Sequence, residues 1–326
     1  MSNKLSLSQE VSRMKSAIHG ISSNETLNCF DDVTCQLLDQ SNDGFLMNRT
    51  QKCAKALSDL QKIDYDDRIK SAFDDYNEAL VYYTLKYIKC YDIQNITETK
   101  TKTPDFTISY NSDDFFVEMK SLAFGDGNLG YKKAMEESVE ANISIEEQRK
   151  KGKRICSSIR TIRPFNCKDA HDQLTQIYRK IDNNIKGGQF LSGDTVLLVD
   201  LTQITLGLGL DGGECFSSYP GASGCLLSGM LWNLAFGKVE HLYYINPEFD
   251  GKPNISDNSL GFDGLLHIYN QVKGIIFSFG TSPETKQFYG LFRRADTDKP
   301  WAIFIQDCCT YYNDEYDSYR YLLQTI

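Results

Sequence analysis

Apolar residues recur at three- and four-residue intervals through the first 66 positions. This predicts helices over 5–18, 32–38 and 50–63, with breaks at 20–25 and 41–44. A longer helix follows over 66–89, capped by Asp66, with Ile69, Phe73, Tyr76, Ala79, Leu80, Tyr83 and Tyr87 along one face. The period then drops to two. Segments 93–97, 105–110 and 115–122 are short and rich in β-branched and aromatic residues, and the Asn111-Ser112-Asp113-Asp114 cluster joins the last two as a hairpin. The polar stretch 123–168 reads as a helical insertion. Residues 169–186 form a helix with Leu174, Ile177, Tyr178, Ile181 and Ile185 on one face, ended by Gly187-Gly188. The run TVLLVDL at 195–201 is unbroken apolar sequence, as in a strand covered on both faces. Beyond a Gly-rich stretch at 207–224, the pattern predicts a helix over 222–236, a strand over 239–245, a helix near 262–271 and strands over 274–279 and 302–306. No internal repeat or low-complexity tract interrupts this order.

The order describes a mixed α/β (α+β) protein in three parts. A helical region occupies 1–65, a core with the insertion at about 123–168 occupies 66–201, and an α/β extension packed on that core occupies 202–326. Hydrophobic residues at 41% and charged residues at 24% exclude a disordered or fibrous chain. No apolar run approaches the ~20 residues that span a bilayer. The first residues, MSNKLSLSQEVSRMKS, lack the apolar centre of a signal peptide, so the expected location is the cytoplasm, with no membrane partner. The ten cysteines include no CxxC pair and the four histidines have no metal spacing, so reduced, mostly buried thiols are expected rather than a zinc site or redox dithiol.

Net charge is −9, but it is unevenly spread. Residues 148–168 contain Arg149, Lys150, Lys151, Lys153, Arg154, Arg160, Arg163 and Lys168 and no acid, so that this stretch carries +8 and the remaining 305 residues −17. Such segregation suits a phosphate-tracking surface on an acidic body. Charge alone fits equally a solvated helix face balanced by Glu136, Glu137, Glu140, Glu146 and Glu147.

The hairpin carries the candidate chemistry. Side chains alternate along a strand, so Glu118 and Lys120 share a face while Val117 and Met119 take the other. Twelve residues separate Asp105 from Glu118, enough for a strand out, a turn and a strand back, which sets Asp105 beside Glu118. Two carboxylates held together repel, and a hard divalent cation, Mg²⁺ or Mn²⁺, relieves them. Such an ion stabilises charge on a phosphate and orients a hydroxide, while an adjacent lysine polarises the water. Glu-x-Lys by itself is common by chance and reads as a surface ion pair.

Pro104-Asp105 followed by Glu118-Met119-Lys120, within an order of helix, three strands, helix and strand, resembles the PD-(D/E)xK nuclease superfamily, the restriction-endonuclease-like fold. The resemblance covers residues 66–201, and the insertion is longer than such a core requires. It implies a Mg²⁺- or Mn²⁺-dependent nuclease in which Asp105, Glu118 and the Met119 backbone carbonyl hold the metal. Lys120 would orient the attacking water, leaving a 5′-phosphate and a 3′-hydroxyl. It also implies that Glu78, on the preceding helix, supports the metal, and that Gln173, Gln176 or Lys180 lies at the site rim. Beside this hairpin the basic segment, with Arg149, Lys150, Lys151, Lys153, Arg154, Arg160 and Arg163, reads as a clamp for nucleic acid, DNA before RNA. Restriction, repair and phage defence are roles that such nucleases take. The competing readings are a nucleic-acid- or partner-binding protein that does not hydrolyse, and a nuclease silent until a ligand or partner, or a second copy in a homodimer, acts on it.

Other features argue less. The glycines at 207–213 lack GK[ST] and GxGxxG spacing and read as a loop. His171 reads as a capping or surface histidine, and Asp200, which ends a buried strand, as a structural acid. The tyrosine-rich tail at 311–321 reads as packing on the body or on a dimer partner.

Overall fold

The computed structural model describes residues 5–18, 25–59, 65–97, 103–123, 140, 142–153, 167, 169–185, 187–190, 193–204, 213–220, 226–245 and 256–316. Helices come first: α1 (Leu7–Ile18), α2 (Glu25–Asn28), α3 (Asp32–Asp39), α4 (Gly44–Ser58) and the long α5 (Tyr65–Tyr83), whose last turn widens into a π-helix at Thr84–Ile88. Asp31 and Asp43 start α3 and α4 by accepting hydrogen bonds from amides of the first turn, Thr34 N and Phe45 N respectively. Asp43 therefore starts α4 six residues before the expected position 50.

The strands β1 (Asp92–Asn95), β2 (Phe106–Tyr110) and β3 (Asp113–Ser121) form an antiparallel meander. The β2–β3 turn places Asn111 and Ser112 at φ of 52° and 71°, the left-handed pair that matches strand twist. After a helix over 142–150 (α6) and α7 (Ala170–Asn184), β4 (Thr195–Asp200) pairs parallel with β3. All six β4 residues are buried, which explains its unbroken apolar sequence.

Two small hairpins follow, β5 (Tyr219–Pro220) with β6 (Leu226–Leu227) and β7 (Leu242–Ile245) with β8 (Ser256–Ser259). Helices α8 (Met230–Phe236) and α9 (Leu265–Ile268) lie among them. Then β9 (Val272–Phe279), β10 (Gln287–Phe292), α10 (Pro300–Cys308) and β11 (Tyr311–Asn313) extend the main sheet to seven strands, in the order β1-β2-β3-β4-β9-β10-β11. The core strands β3, β4 and β9 are parallel and β10 returns antiparallel, so the sheet is mixed.

Each face of this sheet carries one core. Val117, Met119, Val196, Leu198 and Ile276 face helices α1 to α5 and α10, whereas Leu197, Val199, Ile275 and Phe277 face α7, α8 and α9. Among the described residues no helix is long and apolar enough to cross a membrane. Of the eight described cysteines, Cys90 alone is exposed.

Three expectations for the C-terminal third change. The helix expected over 222–236 spans only Met230–Phe236, because Leu226–Leu227 is already strand. The helix expected near 262–271 is the single turn Leu265–Ile268. The strand expected over 302–306 is helix α10: Pro300 sits at its first turn, where a missing amide costs nothing. β10 was unanticipated, and the tyrosine tail contributes β11, paired parallel with β10.

Candidate active site

The β2–β3 register fixes the centre of the site. Phe106 pairs with Val117, so the residue before the strand, Asp105, stands opposite Glu118, and its amide donates to the Val117 carbonyl at 3.1 Å. Pro104 in front of it is buried, and Asp105 itself is half-buried. Its carboxylate accepts a hydrogen bond from the Met119 amide at 2.7 Å, in place of the ladder partner that β2 would have supplied. Amide and carbonyl of one strand residue point to the same neighbouring strand, so the Met119 carbonyl is also on the Asp105 side.

Glu118 is only 1% exposed. One of its carboxylate oxygens, Oε1, accepts from both Lys120 Nζ and the side-chain amide of Gln189, which arrives on the short 3-10 turn Gly187–Phe190. Its other oxygen, Oε2, is buried with no hydrogen-bond partner among the described residues. Burial, and then the neighbouring Asp105 charge, push the Glu118 carboxyl up to about 7, against the pull of Lys120 and Gln189. Lys120 keeps 23% of its side chain in solvent, so the site opens over the lysine.

Glu78 approaches Asp105 from α5, on the other side of the sheet. It bonds Arg49 of α4 at 2.6 Å, and the same guanidinium bonds Asp75 at 2.9 Å. Burial, then Asp105 and Asp75, raise the Glu78 carboxyl to about 8, while Arg49 and Lys52 oppose the shift. Asp105 thus stands between two carboxylates, one on each face, and each is raised partly by its charge.

A divalent cation fits this chemistry in one respect and is under-provided in another. The orphaned Glu118 oxygen beside Asp105 is a ligand in search of a charge. Yet among the described residues no three His, Cys, Asp or Glu side chains gather into a group that could hold a metal. The two carboxylates and the Met119 carbonyl would leave the remaining positions to water and substrate phosphate, as Mg²⁺ accepts.

The other candidates scatter. Arg149, Lys150, Lys151 and Lys153 are exposed at and just after the end of α6, one turn beyond the exposed Glu146 and Glu147. Arg154, Arg160 and Arg163 lie outside the described residues. On α7, Gln173 is 1% exposed and its side-chain nitrogen has no hydrogen-bond partner among the described residues, whereas Gln176 and Lys180 are half-buried. His171 sits in the first turn of α7 with its ring 6.3 Å from that of Tyr243.

Asp200 belongs to a separate buried network. It accepts from Lys286 at 2.5 Å and from Ser278 at 2.5 Å, and Lys286 also reaches Asn77 at 2.9 Å. Sequence reasoning missed Arg49, Gln189 and Lys286. No local signal marks them, because each acts on a residue far along the chain. In comparisons with protein-family models, with curated proteins and with solved structures, nothing matches this chain.

Proposed function

We propose that this chain is a metal-dependent nuclease that hydrolyses phosphodiester bonds, with DNA as its substrate. The observation that carries the reading is the pairing of Asp105 with Glu118 across β2 and β3, with the Lys120 ammonium on the same carboxylate. The order of α5, the β1–β2–β3 meander, α7 and parallel β4 supports a restriction-endonuclease-like core, and the resemblance of Pro104-Asp105 and Glu118-Met119-Lys120 to the PD-(D/E)xK motif falls at its centre.

Asp105, Glu118 and the Met119 carbonyl would hold Mg²⁺ or Mn²⁺, with Glu78 as a further carboxylate beyond Asp105. When bound, the ion would neutralise charge on the phosphate and acidify a coordinated water. Gln189 and Lys120 both occupy Glu118 Oε1, which reserves Oε2 for a cation. Lys120, at the open end, orients the water that attacks phosphorus.

The test is cleavage of supercoiled plasmid, linear duplex, single-stranded DNA and RNA with Mg²⁺, Mn²⁺ or EDTA. Wild type is compared with Glu118→Ala and Lys120→Ala. Metal-dependent cutting that falls by at least about 100-fold in both variants is the expected outcome, in line with the usual share of a positioned acid–base group. Absence of cutting by folded wild type supplied with Mn²⁺ overturns the reading of a constitutive nuclease.

A further inference from the structure

Beyond the hairpin, α4 presents an open groove of about 490 Å³, lined by Leu5, Met47, Asn48, Gln51, Lys52 and Lys55 among others. The lining residues recur at three and four, so the groove follows the outer face of the helix. Gln51 donates to the Leu5 carbonyl at 2.7 Å and fixes one wall. Asn48, Lys52 and Lys55 are exposed, no acid lines the groove, and among the described residues neither lysine has an ion-pair partner. On a protein of net charge −9 such a cationic concavity is uncompensated.

The groove lies within electrostatic reach of Glu78. Lys52 acts electrostatically on Glu78, and Arg49, one turn away, bonds Glu78 directly. Lys55 in the last turn complements the negative end of the helix. That role does not account for Lys52 or Asn48.

We propose that this face of α4 binds the phosphate backbone of the nucleic-acid substrate. The assignment rests on the nuclease reading for the identity of the ligand. Asn48 to Lys55 spans about 10 Å of helix, which matches about three phosphates of one strand at about 3.4 Å each. The two ammonium groups act as point charges, suited to a backbone and indifferent to base sequence. The N-terminal helices would thus serve as part of the substrate track.

The experiment is binding of a fluorescein-labelled duplex, and of its single strand, to the full chain in EDTA across a salt series. Wild type is compared with Lys52→Gln/Lys55→Gln and with Lys52→Glu/Lys55→Glu, and unchanged thermal melts establish that the variants fold. Loss of two phosphate contacts flattens the log–log salt slope by about 1.8 for duplex and about 1.4 for single strand. Wild type then loses about tenfold more duplex affinity than the Gln variant between about 50 and about 200 mM salt. The arm with the larger effect identifies which form the groove takes, and the Glu variant binds more weakly still. Equal affinities and slopes in wild type and variants overturn the groove assignment alone. A groove-dependent slope without any cutting retains the groove and overturns the nuclease. No binding of either form by wild type at low salt overturns both.

Discussion

Asp74 is the residue whose protonation most directly sets stability apart from the candidate site. Its Oδ1 is buried with no partner among the described residues, and burial, then the charges of Asp75 and Asp200, raise its carboxyl from 3.8 to about 7. The folded chain therefore keeps a proton that the unfolded chain has already released between those two values. Stability from this group is present in full below pH 3.8 and is lost as pH rises to about 7. Asp74→Asn should flatten the fall in stability between about pH 5 and pH 8 and make the protein more stable at the upper end. Urea midpoints at three pH values check this, and a wild-type slope retained in the variant would count against it. The Lys286–Asp200 pair makes the opposite kind of prediction. Lys286 is fully buried and its ammonium is held by Asp200, Asn77, Thr202 and the Gly280 carbonyl. Removing one partner strands the other, so Lys286→Met should cost about 3 to 5 kcal/mol. Lys286→Met/Asp200→Asn should cost less than the sum of the single changes, a non-additivity that a double-mutant cycle measures.

At the scale of elements, the contact between α10 and the sheet is set by two glycines. Gly274 on β9 and Gly290 on β10 lie on adjacent antiparallel strands, and a Cβ at either would meet Ile305, at 2.5 Å and 2.2 Å respectively. Their missing side chains form the depression into which Ile305 packs. Gly274→Ala should therefore destabilise by about 1 to 3 kcal/mol through overpacking. Adding Ile305→Val, which withdraws the Cδ1 methyl that a Cβ at 274 would meet, should recover part of the loss; equal midpoints for the single and double variants would show that the contact does not govern the packing. The same contact explains why α10 was read as a strand. Trp301-Ala302-Ile303-Phe304-Ile305 is apolar all round and β-rich in composition, and only the facing glycines reveal it as a buried helix. β10 was hidden by the reverse effect, since Gly290 interrupts Gln287–Phe292. The hairpin was legible because period-two alternation and a turn cluster determine register locally, and register alone sets Asp105 opposite Glu118. Gln189 and Arg49 carry no such pattern. Their partners lie 71 and 29 residues away, and only the completed packing brings them in.

At the scale of the molecule, the N-terminal helices and the sheet share a single core. Phe30 packs on Phe73 and Tyr76 with ring centroids 5.5 Å and 4.9 Å apart, and Tyr76 donates to the Thr281 carbonyl at 2.6 Å, beyond the end of β9. Phe45 of α4 packs edge-on against Phe106 of β2 at 5.6 Å, one residue from Asp105. Residues 1–65, 66–201 and 202–326 divide the sequence by pattern, but apolar side chains of all three meet on one face of the sheet. A chain built this way loses its parts together, because opening the N-terminal helices uncovers Phe73, Tyr76 and Phe106 at once. Unfolding in urea should accordingly be one transition. Both tryptophans, Trp232 and Trp301, report on the C-terminal third, whereas the buried thiols of Cys35 and Cys53 report on α3 and α4. Tryptophan emission and the thiol reactivity of a chain in which every other cysteine is replaced by serine or alanine should give the same midpoint. Thiols that react at a clearly lower urea concentration than the tryptophans respond would mean that the helices open as a separate unit. The candidate site would then lose Arg49 and the α4 groove before it lost Asp105, Glu118 and Lys120, and the nucleic-acid binding proposed for that groove would fail ahead of the sheet.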